Sequence, residues 1–180
     1  MVADTSSTAA PAEPIRLEFR HVHIGDELVV PLLDELAHEY SSRYGRTLDE
    51  QVRILAEEYP PEEFAAPGGA VVVLLDDGLP VAGGAFRRYD DETAELKRMW
   101  TRSGHRRRGL GRRVIGELER LALLRGYRRV YLTTGTRQPE ARALYLAAGY
   151  APLFDTALDP GEIAGPLPFE KDLLGRTEAT

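Results

Sequence analysis

The sequence predicts a mixed α/β fold in a single domain, and three observations carry that expectation. Strand-like and helix-like segments interleave in the order β, two helices, three strands, then α-β-α-β-β, which suits a layered sheet flanked by helices. Turn residues punctuate the joins, among them Asp77-Gly78, Gly126 and Gly149. The length of 180 residues is enough for one domain with a real core.

Each element has its own local reason. Residues 15–22, IRLEFRHV, alternate apolar and polar side chains, the mark of a half-buried strand. Val29, Leu32, Leu33, Leu36 and Tyr40 then recur at helical spacing. Pro31 is tolerated only in a first turn, so the regular helix should begin beside it. A second, weaker helix follows, opened by Thr47 and Glu50 as a capping box. AVVVLLDDGLPVAGGAFRRY reads as two strands turning at Asp77-Gly78, and TAELKRMWT as a third. Residues 109–125 form the clearest helix, with a stripe of Leu110, Val114, Leu118, Leu121 and Ala122, and Gly126 ends it. RRVYLTT is a strand, Pro139 opens a last helix that Gly149 closes, and YAPLF and LPFEKDLL finish as strands. Residues 1–14, small, polar and proline-containing, are expected to be a disordered tail before a domain over residues 15–174.

Composition narrows the function. A net charge of −6 argues against a general nucleic-acid binder. The chain has no cysteine, which excludes disulfides, thiolate metal sites and a cysteine nucleophile and suits the cytosol, where we expect it. The N-terminal stretch lacks the apolar core of a secretory signal, and no apolar run is long enough to span a membrane. His21 and His23 share a strand face but have no evident third ligand, so no metal site is expected.

Against that acidic background, residues 96–116 hold eight lysines or arginines and no acid. They surround a glycine-bearing turn, SGHRRRGLGRRV, ahead of the long helix. A helix N-terminus presents unpaired amides and partial positive charge, glycines let an anion approach them, and arginines add charge-assisted bonds. A phosphate-bearing ligand fits. Leu110 and Gly111 stand where a Walker A loop needs Lys and Ser or Thr, which excludes that motif. Val114 stands where a dinucleotide fingerprint needs Gly or Ala. A solvated basic turn is the alternative.

The remaining pattern, Arg106-x-x-Gly109-x-Gly111, resembles the pyrophosphate-binding loop of the GCN5-related N-acetyltransferases (GNAT). The strand AELKRMWT before it and ALYLAAGY after it resemble the same family in order. The resemblance implies a mostly antiparallel sheet of about seven strands flanked by helices, and acetyl-CoA as acyl-donor cosubstrate with no metal. It implies that Arg106, Arg107, Arg108, Gly109, Leu110, Gly111 and Arg112 hold the pyrophosphate, and that Met99, Trp100 and Thr101 bind pantetheine through their backbone. It makes Glu95 the general base, or alternatively a surface Glu paired with Arg87, Arg88 or Lys97. Tyr145 becomes the general acid toward sulfur, or alternatively a core residue beside Leu144 and Ala148. Many members carry Asn where this chain has Pro139, and Gln138 is the substitute contact.

The expected reaction is direct acetyl transfer to a primary amine, on a small molecule or a peptide. A noncatalytic acyl-CoA sensor of the same fold is the alternative, and a nucleic-acid binder using the arginines is a weaker one. Neither nucleic acid nor membrane is an expected partner, and a homodimer stays open. Asp155, Asp159 and Glu162 in a late loop could attract a cationic amine, or form a solvated acidic loop.

Overall fold

Val71 through Leu75 are all buried, so the strand they form must be covered on both faces. The computed structural model describes residues 16–175; the tail expected over residues 1–14 lies outside the described residues. Seven strands, β1 (Leu17–Val22), β2 (Ala70–Asp76), β3 (Leu79–Arg88), β4 (Thr93–Thr101), β5 (Arg129–Thr134), β6 (Ala151–Pro152) and β7 (Leu167–Asp172), make one sheet. Its order is β1-β2-β3-β4-β5-β7-β6, and every pairing is antiparallel except β4 with β5. The mostly antiparallel sheet of the expected fold class is therefore present.

Period-two alternation divides the strand side chains between two cores. Val72 and Leu74 pack with α3 (Leu110–Leu124) and α4 (Pro139–Ala147), through Val114, Leu118 and Tyr145. Val71, Val73 and Leu75 pack on the opposite face with α1 (Val30–Tyr44) and α2 (Leu48–Glu57), through Leu32, Leu36 and Leu55. Pro31 sits in the first turn of α1, as its missing N–H requires. The Thr47–Glu50 capping box opens α2 with both reciprocal bonds, at 3.2 and 3.0 Å. Asp77 and Gly78 take the left-handed conformations of a tight hairpin.

One element is shorter than expected. Of the segment YAPLF only Ala151–Pro152 is strand, because the chain turns away from β7 after Leu153 bonds Pro168.

Two features of β4 set it apart from its neighbours. Its register against β3 jumps between the Ala85–Lys97 and Gly83–Trp100 pairs, and Arg98 in that gap has φ 57°, so the strand is bulged there. It also pairs with β5 over Thr93–Glu95 alone, after which β5 continues beside β7 and β4 beside β3.

Candidate active site

The separation of β4 and β5 leaves one edge of β4 without a strand partner from Leu96 onward. Unpaired backbone groups on such an edge are a template for an extended polar ligand. A cavity of about 380 Å³ occupies the opening. Met99 and Arg98 from β4, Thr133 and Thr134 from β5, Gln138 at the N-cap of α4, Tyr145 within α4, and Tyr40 from α1 all line it. Met99, Trp100 and Thr101 are expected to act through their backbone, and the first two have side chains employed elsewhere. Met99 packs toward α3, whereas the Trp100 indole donates to Glu35 at 3.1 Å within the α1–α2 core.

The arginine-rich turn adjoins this edge. Gly109 caps α3 with φ 75°, a left-handed geometry that suits glycine, and no side chain caps the helix. The amides of the first turn thus lack an intrahelical acceptor. Gly111 has a different reason for being glycine. A Cβ there would meet Leu144 of α4 at 3.1 Å, so it allows α3 and α4 to approach. Arg106 donates to the Thr101 carbonyl at 3.2 Å and to Glu39 of α1 at 2.6 Å. Glu39 also pairs with Arg43, which in turn bonds Glu140 and the Arg137 carbonyl, so α1, the turn and the start of α4 are joined by charge. Arg108 lies 3.8 Å from Asp76. Arg107 and Arg112 lie toward solvent, and among the described residues neither has an ion pair.

Glu95 is buried, not the surface residue of the second reading, although its partners are two of those expected. Its Oε2 accepts from Arg87 at 2.8 Å and its Oε1 from Lys97 at 2.9 Å. Arg87 also pairs with Glu63 at 2.6 Å and stacks over Tyr59 at 4.3 Å. Burial pulls the Lys97 ammonium down, but its bonds to Tyr59 and Glu95 outweigh that and hold it above the usual lysine range. Lys97 lines the cavity, and its partner Glu95 does not.

Tyr145 is at once a core residue, edge-on to Tyr150 at 5.9 Å, and a cavity residue. Burial pushes its phenol far above the ordinary tyrosine range, with the nearby Tyr40 adding to the rise. Gln138 uses its Oε1 to accept from Thr134 and from the Gly135 amide, both at 3.0 Å, which fixes the β5–α4 turn.

Tyr40, Arg46, Gln51, Glu58 and Arg98 also line the cavity, and sequence reasoning does not mark them as site residues. Gln51, Leu55 and Glu58 share one face of α2 and its C-cap at spacings of four and three, and a Gln on an otherwise buried face was the available signal. The acidic loop does not line the cavity. Asp155 and Asp159 accept backbone N–H groups of their own turns, and Glu162 reaches back to the Asp159 amide. His21 bonds Glu117 at 2.7 Å, and no group of three or more metal-ligating side chains occurs among the described residues.

The family model of the acetyltransferase (GNAT) family matches residues 30–150, from α1 through the turn after α4. The chain belongs to the GNAT acetyltransferase family. Its match to the family thus spans the β4 opening and the arginine-rich turn. It is similar to the uncharacterized N-acetyltransferase YsnE of Bacillus subtilis (strain 168), with 33% identity over 117 residues, 58% of this chain and 78% of that protein. The GNAT fold recurs in the PaiA N-acetyltransferase of Thermoplasma acidophilum, solved with coenzyme A, at TM-score 0.66 and 15% identity, covering 88% of this chain and 99% of that one. An acetyltransferase of Thermus thermophilus aligns with TM-score 0.60 and 25% identity over 87% of this chain and 96% of its own.

Proposed function

We propose that the protein is an acetyl-CoA-dependent N-acetyltransferase that passes the acetyl group directly to a primary amine. The observation that carries the reading is the free edge of β4 beside the uncapped start of α3, in a chain of this family. The pyrophosphate of the donor would meet the amides of residues 106–112 with Arg107 and Arg112 at hand, and its pantetheine the backbone of Met99, Trp100 and Thr101. The lack of cysteine agrees with transfer in a ternary complex, since no cysteinyl acyl-enzyme can form. By the same reading the protein works in the cytoplasm.

The amine nitrogen attacks the thioester carbon; a C–N bond forms as the C–S bond breaks. An N–H on the open β4 edge holds the oxyanion. Tyr145, kept protonated by burial, donates to the departing sulfur. Glu95 is the assigned destination of the amine proton, and because it is not on the cavity wall, water carries that proton. Glu58 is the carboxylate directly on the cavity wall and is the rival for this role.

Calorimetry with coenzyme A, and thioester consumption across a panel of amines, test the two halves of the reading. Binding without turnover would instead support an acyl-CoA sensor. Tyr145→Phe should lower kcat by about a hundredfold or more with coenzyme A affinity kept; wild-type turnover at all pH values would remove the acid. Glu95→Gln and Glu58→Gln separate the two bases by which one abolishes the acidic limb of kcat/KM.

A further inference from the structure

Gln51 is 3% exposed, lines the cavity, and its Oε1 has no hydrogen-bond partner. A buried acceptor left unsatisfied is costly, so a ligand that brings an N–H or O–H donor recovers that loss. The charge on the wall is a separate observation. Arg46, Lys97 and Arg98 contribute three cations and Glu58 one anion. Arg98 pairs with Glu58 at 3.1 Å, and Lys97 with Glu95 at 2.9 Å. Arg46 is exposed at the rim, and among the described residues no ion pair neutralises it.

With those two pairs formed, Arg46 is the cation of the wall left to meet a ligand, and it suits an amine that carries its own anion. Size points the same way. A cavity of about 380 Å³ lies at the low end for ligand sites and is shared with the thioester, leaving room for a small acceptor.

We propose that the chamber between α2 and the β4 bulge is an acceptor subsite for a small amine bearing a carboxylate, an α-amino acid, with Gln51 accepting from the amino group and Arg46 facing the carboxylate. This rests on the N-acetyltransferase reading and names its substrate class.

The test measures acetylation of the proteinogenic L-amino acids, each beside its decarboxylated amine, at saturating acetyl-CoA. At least one amino acid should exceed its amine by about tenfold or more in kcat/KM. Arg46→Ala should erase that ratio. Gln51→Leu, similar in volume and apolar enough for the α2 face, should raise the acceptor KM about tenfold while coenzyme A affinity by calorimetry stays unchanged. Equal or better use of the decarboxylated amines overturns the proposal, as does a ratio that survives Arg46→Ala or an acceptor KM untouched in Gln51→Leu. Coenzyme A binding with no amino acid acetylated also overturns it. Failure of wild-type protein to bind coenzyme A at all brings down the N-acetyltransferase reading itself, which keeps the two failures distinct.

Discussion

The two flanks of the β4 opening differ in how they hold cations. On the α3 flank Arg106 pairs with Glu39, but Arg107 and Arg112 lie toward solvent and have no ion pair among the described residues. On the α2 flank, Arg87, Lys97 and Arg98 each meet a carboxylate, and their side chains are only 21%, 16% and 6% exposed. A cation standing in water costs the fold little and is available to an incoming anion. A buried cation must be neutralised by its own protein, because the desolvation cost is otherwise several kcal/mol. The first arrangement leaves its charge open to a ligand; the second is spent within the fold.

The strongest way to break this contrast is Glu95→Ala, which strips the shared carboxylate from Arg87 and Lys97. Urea unfolding should show a loss of about 3–5 kcal/mol, and a loss below about 1 kcal/mol would mean the pair is not structural. Gly109→Val comes next. Its left-handed backbone, at φ 75°, penalises a branched side chain by about 1–2 kcal/mol, and coenzyme A affinity should fall in calorimetry as the α3 entry shifts. The double variant Arg107→Ala, Arg112→Ala sharpens the comparison from the other side. Stability should move by no more than about 0.5 kcal/mol, while coenzyme A binds more weakly and with less dependence on salt.

The smallest effect belongs to an ion cluster of mixed exposure. Arg120, with a further contribution from His21, holds the Glu117 carboxyl down to about 2. A depressed carboxyl contributes stability above its unfolded value and loses it as pH falls through the folded one. Glu117→Gln should therefore flatten the dependence of stability on pH between about 4.5 and 2, read by unfolding at each pH.

Elements written in contiguous residues are legible without coordinates. The Thr47–Glu50 box, the Pro31 and Pro139 helix entries, the Asp77-Gly78 turn and the apolar stripe of α3 all stand where their local chemistry puts them. The sequence overstates the short β6, because apolar residues in YAPLF signal burial and leave pairing undetermined. Glycine at position 111 reads from the sequence as phosphate access, whereas the closeness of Leu144 is visible only once α4 has docked. Tyr40 reads as one more residue of an apolar stripe, and nothing within α1 tells that its ring faces Gln138 and the cavity.

By itself, then, the sequence determined the mixed α/β class, the helix boundaries and the glycine-arginine turn, since propensity, capping and periodicity act within a few residues. Only the tertiary structure decided where β4 leaves β5, that Lys97 and Arg87 share the buried Glu95, and that Gln51, Arg46 and Arg98 share one chamber. Strand register and side-chain neutralisation are long-range: each is chosen by partners far away in the chain, through pairing and desolvation that no single segment encodes.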